Sequence, residues 1–248
     1  MRPFTLACAV LGLLAGFVGK LHAQEETRAV IEKAIKASGG AELLANRKAS
    51  QTKSKGTLEV MGQTLAFTQE VSALLPDKAK EVMHLEVMGQ NIDIVTVMNG
   101  ANVRITAAGN EVPLNDSIRQ AIKEQKHMAE VVRLLPLLKD KGFELSPIGE
   151  VQVAGKPAVG VRVSKKGAKD VSLFFDKTSG LMVKVEHRAT DANSGQEVAE
   201  ERIVLEYQQV AGAPAAKKVL MNRDGKKFME VEILEIKFPD TIDENEFK

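Results

Sequence analysis

The apolar positions of this chain change period several times, and each change marks an element. Val30, Ile31, Ala34 and Ile35 fall at helical spacing. Thr27 stands where an N-cap belongs, and Gly39-Gly40 where a helix stops. The pattern predicts a helix from about Arg28 to Ala37, then a short helical piece from Ala41 to Ala45. From Lys55 the period falls to two. Leu58 and Val60, Leu65 and Phe67, then Met83, Leu85 and Val87 alternate with mostly polar residues, with turns at Met61-Gly62-Gln63, Pro76-Asp77 and Gly89. Asn91 to Met98 reads as a further strand. Asn99-Gly100 reads as a hairpin turn, and Val103 and Ile105 complete a first run of about five strands.

The helical period returns at Asn115-Asp116-Ser117. Ile118, Ile122, Met128, Val132 and Leu135 draw one apolar stripe over a helix from about Asp116 to Leu138, which Pro136 must kink or end. A second strand run follows. Val151 and Val153 face Val159, Val161 and Val163 across Ala154-Gly155-Lys156-Pro157. Val171, Leu173 and Phe175 precede the turn Asp176-Lys177-Thr178-Ser179-Gly180. Leu181, Val183 and Val185 lead to a turn from Asp191 to Gly195. Ile203, Leu205 and Tyr207, then Val219 and Met221, precede Asp224-Gly225. In the last segment Met229, Val231 and Ile233 keep one phase while Leu234, Ile236 and Phe238 take the other, which predicts a bulge at Ile233-Leu234.

Roughly ten or eleven antiparallel strands thus stand against two or three helices, and a sheet this long must curl or be covered. The predicted fold class is mainly β (α+β): a strongly curved antiparallel sheet, an incomplete barrel, with helices covering its concave apolar face. Leu58, Leu65, Phe67, Leu85, Val161, Leu173, Phe175, Val183, Leu205 and Val231 are expected to line that face, and the space between sheet and helices need not be fully filled. The stripe from Ile118 to Leu135 is expected to be its lid.

Composition adds exclusions. The chain has 248 residues, formal net charge +1, 44% hydrophobic and 27% charged residues, an ordinary globular balance without the basic excess that nucleic acid requires. One cysteine excludes a disulfide framework, a zinc-finger cage and a cysteine-held iron–sulfur site. Met1-Arg2-Pro3, the apolar run Phe4 to Val18 and the approach to Ala23 read as a secretory signal peptide cut after Ala23. The apolar run is shorter than the roughly 20 residues that a membrane-spanning helix needs. The alternative is an uncleaved amphipathic or buried first helix. Leu6-Ala7-Cys8 faintly resembles a lipobox, but too few apolar residues precede it, so Cys8 falls in the discarded signal. The expected organisation is a signal over residues 1–23 and one domain over 24–248. Loss of Arg2 and Lys20 takes the formal charge from +1 to −1, and the mature protein is expected to be periplasmic and soluble.

No catalytic motif survives. Ser50-Gln51-Thr52-Lys53 has S-x-x-K spacing and Lys177-Thr178-Ser179-Gly180 is similar to K-T-G, but Ser50 opens a strand pattern and no S-D-N is present. No H-E-x-x-H exists, and His84 and His187 fall on polar strand faces, where solvation is expected; His127 pairs with neither of them at ligand spacing. Asp191 to Gly195 fails as a calcium loop because its Gly comes early and Arg202 holds the place of the bidentate Glu. Asn115 is expected to cap the mid-chain helix, and Lys165-Lys166-Gly167-Ala168-Lys169 to form a solvated hairpin tip. The methionines are expected to fill core. No enzyme, cofactor or metal is predicted.

Gly155-Lys156-Pro157-Ala158 before a Val-rich strand, Leu173-Phe174-Phe175-Asp176-Lys177-Thr178-Ser179-Gly180-Leu181, Glu206-Tyr207, Asp224-Gly225 and the ending from Ile236-Lys237-Phe238-Pro239-Asp240 to Phe247 carry a resemblance. With an exported start, an amphipathic first helix and a mid-chain helix, the chain resembles the LolA/LolB-like outer-membrane lipoprotein-sorting proteins. The resemblance implies a helix-capped incomplete barrel whose hydrophobic cavity shields acyl chains of lipids or lipoproteins, with inner- or outer-membrane proteins as further partners. It implies no individual functional residue. The chain lacks Trp and a usable lipobox Cys. A protein-binding or envelope-sensing module on the same fold is the other reading.

Overall fold

The computed structural model describes residues 11–248 apart from 61 and 88, with side chains from Gln24 onward. Cys8, the start of the expected signal, Met61 and Met88 lie outside the described residues. Helix α1 (Leu11–Ala37) ends where Gly39 and Gly40 adopt positive φ, and α2 (Ala41–Asn46) follows. Thr27 lies inside α1 and is buried, so it is not the cap that its position suggested.

Six strands follow: β1 (Ala49–Val60), β2 (Gln63–Leu74), β3 (Lys78–Val87), β4 (Gln90–Asn99), β5 (Asn102–Ala107) and the two-residue β6 (Asn110–Glu111). Helices α3 (Asp116–Val132) and α4 (Leu135–Lys139) cross to a second run. It consists of β7 (Phe143–Val153), β8 (Lys156–Lys165), β9 (Val171–Asp176), β10 (Met182–Thr190), β11 (Glu197–Val210), β12 (Ala213–Arg223) and β13 (Lys226–Lys237), and a short 3-10 helix spans Glu244–Phe247.

Asn115 caps α3: its Oδ1 accepts from the Ile118 N–H at 2.9 Å. The predicted single helix to Leu138 is two. Pro136 has no N–H to give the Val132 carbonyl and its ring would clash there, so α3 ends at Val132. Leu134 then turns with φ 63 and Pro136 sits in the first turn of α4.

All thirteen strands form one antiparallel sheet in the order β6-β5-β4-β3-β2-β1-β13-β12-β11-β10-β9-β8-β7. Each run is a meander of hairpins, joined by β1 against β13. The register there skips Leu234, between Lys53↔Glu235 and Ser54↔Ile233, which is the bulge predicted from the phase switch. The free edges are the very short β6 and β7, whose pairing is irregular between Pro147 and Gly149.

The connections require the sheet to curl. Six Cα-to-Cα steps lead from the end of β6, Glu111, to Ser117, a reach of about 22 Å at most. Yet a Cβ on Gly195, in the β10–β11 turn, would stand 2.6 Å from the Ser117 hydroxyl. In a flat sheet β6 and β10 would lie about 43 Å apart. The lateral distance can be closed only by curvature, and α3 spans the opening: its Lys126 donates to the Gly100 carbonyl of the β4–β5 turn at 2.6 Å, and its Glu124 accepts from the Thr190 N–H of β10 at 2.7 Å.

The main core lies where α1, α3 and α4 meet β7–β10. It contains Ile31, Met128, Val131, Leu135, Leu137, Val161, Val163, Leu173 and Phe175. Two smaller clusters lie on the opposite face. Ile242 and Phe247 of the C-terminal tail pack on Ala49 and Val97, and Phe174 packs with Val153 and Ala158.

Candidate functional site

Directly opposed residues of antiparallel strands share a face, so register traces one face through the sheet. Phe67 opposes Gly56 and Leu85, Leu58 opposes Leu65 and Met229, and Gly56 opposes Val231. Val231 opposes Val219, and Val219 opposes Val204. Two residues on, Arg202 opposes Val185, which continues to Leu173 and Val161. Phe175, two residues from Leu173, keeps the same side. Leu58, Leu65, Phe67, Leu85, Val161, Leu173, Phe175 and Val231 therefore share the helix-bearing face.

Val183 does not. A register slip between Met182 and Lys184 turns it to the other side, where it packs with Phe174 and Val153. Leu205 is the residue skipped between Val204 and Glu206, and is 44% exposed. Period-two reading places both inward because it has no means of counting an extra residue.

The shared face has two halves of different character. Under the helices, Val161, Leu173 and Phe175 are at most 1% exposed, a packed core with no room for a ligand. Across β1–β5, β12 and β13 the same face carries Leu58, Leu65, Met83, Ile92, Ile94, Val219, Met229 and Val231, all half-buried, around buried Phe67 and Leu85. The extensive helix contacts lie on the other half, where α1 meets β7 and β8 and α3 meets β9 and β10; α3 reaches this half at the β4–β5 turn, through Lys126 and Gly100. Phe67 folds its ring over Gly56, where an added Cβ would stand 2.7 Å from the ring.

The expected lid is divided too. Met128 and Leu135 are buried and Ile118 and Ile122 half-buried, but Val132 is exposed and Val131, one position earlier, is fully buried instead. The turn at Leu134 redirects the chain and sends Leu134 and Leu137 inward with Leu135.

Beside the apolar face runs a charged seam that the sequence did not disclose. Glu124 of α3 accepts from Thr190 N and Oγ1, from Gln120 Nε2 at 2.7 Å and from Lys169 Nζ at 2.8 Å. Burial opposes its ionisation, but these donors hold the carboxyl below its ordinary range. Glu200 is 3% exposed in its side chain and is gripped by Arg202 at 2.9 Å and Arg223 at 3.1 Å. Against the cost of burial, these cations and His187 hold it low as well. His187 is not solvated: its ring is 6% exposed, 3.9 Å from Glu200, and burial pushes it below the ordinary histidine range. Lys169 is not a solvated hairpin tip either, since it bridges Glu124 and Glu197. His84 does sit exposed, 2.7 Å from Asp93.

The hydrolase-like residues are not assembled. Ser50 and Lys53 lie on one strand with opposite facing, and Lys53 bonds Glu70 at 2.8 Å. Asp176 and Asp191 each accept from the backbone N–H and hydroxyl of the Ser three residues on, so both D-x-x-S-G segments are the same turn. Among the described residues no cluster of three His, Cys, Asp or Glu is placed to hold a metal. An open groove of about 700 Å³ near Phe67 and Leu85 is lined by Lys55, Thr57, Thr68, His84, Glu230 and Glu232, whose register places them on the opposite, polar face.

No family model matches the sequence, and no curated protein matches it. The fold does have counterparts. A DUF1329 family protein from Desulfovibrio piger aligns over 90% of this chain and 97% of its own with a TM-score of 0.59 at 9% identity. A LolA superfamily protein from Nitrosomonas europaea aligns over 90% and 97% with a TM-score of 0.56 at 10% identity. An outer-membrane lipoprotein-sorting protein domain from Vibrio parahaemolyticus aligns over 86% and 97% with a TM-score of 0.52 at 12% identity. With its long curled sheet and the helices on one face of it, the chain has the fold shared by LolA superfamily and lipoprotein-sorting domains.

Proposed function

We propose that the protein is an exported, periplasmic binder or carrier of acyl chains, of a lipid or of a lipoprotein, held on the open half of the helix-side face. The observation that carries this reading is the half-buried apolar strip through Leu58, Leu65 and Val231, which lies away from the extensive contacts of α1 with β7 and β8 and of α3 with β9 and β10. Each methylene withdrawn from water contributes about 0.8 kcal/mol, so one long acyl chain suffices for firm binding without any catalytic group. Helix α3, tied to the β4–β5 turn and to β10, controls access in this reading. Its further partners in this reading are inner- or outer-membrane proteins.

Export follows from the N-terminal pattern. Cleavage after Ala23 leaves residues 24–248 as one domain and keeps Ile31, Ala34 and Ile35, through which α1 joins the core. Among the described residues no helix is long and apolar enough to cross a membrane. The intact mass of the exported protein is expected to correspond to a chain that begins at Gln24; a mass that retains Met1 contradicts export by cleavage.

Mass spectrometry of organic extracts from gently purified native protein tests the binding. Acyl chains are expected to co-purify, and Val231→Glu is expected to abolish their recovery with the secondary structure retained, because a carboxylate on this face meets no partner. Extracts free of acyl chains, or undiminished recovery from the variant, overturn the proposal.

A further inference from the structure

A cavity of about 270 Å³ lies beneath α3, beside the packed core. Lys123, Glu124 and His127 of α3 line it on one side. Lys169, at the end of the β8–β9 connection, and His187 and Arg188 of β10 line the other. Its volume is below the roughly 300–1,000 Å³ of sites for drug-sized ligands, which suits an ion or a headgroup better than a whole lipid.

The chemistry of the lining is one-sided. Glu124, its one carboxylate, already accepts four hydrogen bonds and has little left to offer a ligand. Lys169 and Arg188 share Glu197 at the rim, and Lys123 makes no ion pair with a described residue. Three cations thus answer two carboxylates. The two imidazoles are also incompletely used: His127 Nε2 and His187 Nδ1 are buried with no hydrogen-bond partner. An unpartnered buried ring nitrogen is costly unless a ligand or water completes it.

We propose that this cavity binds a phosphate oxyanion, either free or carried by a phospholipid headgroup. A tetrahedral anion offers several acceptor oxygens to donors that converge from a helix, a turn and a strand, and charge-assisted bonds of this kind are the strong ones. The headgroup source rests on the acyl-chain reading above, while the free-anion source does not. Burial holds both imidazoles below their ordinary range. His127 also feels Glu130 and Lys165 and is bonded to the Lys169 backbone, while His187 feels Glu200, Arg202, Glu124 and Lys169. An anion seated between the rings favours the imidazolium, so binding draws protons onto both.

The test titrates inorganic phosphate, dihexanoyl phosphatidic acid and dihexanoylglycerol separately into the exported protein at neutral pH, followed by calorimetry and by the imidazole NMR signals. Phosphate or phosphatidic acid is expected to bind and to move the His127 and His187 signals toward the protonated form, while exposed His84 stays unchanged. The double variant Lys123→Gln, Arg188→Gln alters two exposed side chains, so its melting temperature is expected to hold while affinity falls about tenfold or more. Binding of phosphate alone identifies a free anion, and binding of phosphatidic acid alone a headgroup. Equal binding of dihexanoylglycerol and phosphatidic acid, with both histidines unmoved, overturns the site yet leaves the acyl-chain reading standing. Failure of all three to bind, or unchanged affinity in the double variant, also overturns it, and co-purifying acyl chains judge the other reading independently.

Discussion

Replacing Phe175 with Ala is expected to lower the stability of this protein by about 3–5 kcal/mol, whereas Leu234→Ser is expected to change it by no more than about 0.5 kcal/mol. Both are large apolar residues of strands, but Phe175 keeps the inward phase of β9 while Leu234 stands at the phase switch of β13. Phe175 is 1% exposed and packs in the cluster that joins β8, β9 and β10 to the helices. Its removal leaves a void bounded by Val159, Met182 and their neighbours, which a sheet clamped by hydrogen bonds on both sides cannot collapse to fill. Leu234 is the residue skipped by the β13 register and is 53% exposed. At about 2–4 °C per kcal/mol for a chain of this size, the Phe175 change amounts to a fall of about 6–20 °C in Tm. Thermal unfolding followed by far-ultraviolet circular dichroism measures both variants. Equal losses would contradict the division between packed core and bulge.

Acid is expected to destabilise the protein in two stages. His127 and His187 have folded pKa values depressed below 6.5 by burial. As pH falls through 6.5 the unfolded chain takes up protons before the folded one, so their contribution is complete above 6.5 and drains away as pH drops toward the folded values. Glu124 and Glu200 are depressed below 4.5 by the cations and donors around them, so their contribution is complete above 4.5 and is lost only below it. A plot of Tm against pH should therefore bend first near 6.5 and again below 4.5. His187→Gln should flatten the upper limb and move the lower one only slightly, because Arg202 and Arg223 still hold Glu200 low. Glu200→Gln should cost about 2–3 kcal/mol at neutral pH. That is less than the ~3–5 kcal/mol for breaking a fully buried pair, because Arg202 and Arg223 reach solvent in part. A Tm that is constant from pH 6.5 to 4.5 would contradict burial of the imidazoles.

The architecture was legible in the sequence because periodicity survives in strands such as β2, β3 and β9, and because Asn115, Gly39 and Gly100 act locally. The phase switch in β13 disclosed even a bulge. What stayed hidden depends on partners far away in the chain. Leu205 and Val183 keep the inward phase on paper, and only the pairing shows that their strands have slipped. β7 reads poorly before Val151 because Pro147, Ile148 and Gly149 interrupt its alternation, while the β1–β13 junction leaves no local trace. Glu124, Lys169, His187 and Glu200 look like an ordinary solvated face. Their burial follows from a helix laid over the end of β10, which spacing along one strand cannot announce. The apolar face is the converse case: its residues were visible, but which half is filled core and which half is only half-buried depends on where α1 and α3 come to rest.

An open sheet of thirteen strands would ordinarily present two rows of unsatisfied peptide groups to every other molecule in solution. Here one margin is only two residues long, and the other is interrupted by Pro147, which has no N–H to donate, and by the irregular pairing before Gly149. Neither offers a continuous ladder on which a second copy could extend the sheet. Curling leaves the sheet open without closing it into a barrel, and the blunted margins keep that openness from becoming self-templating. The molecule can thus leave an apolar surface accessible and still resist the strand-by-strand growth that leads to fibrils.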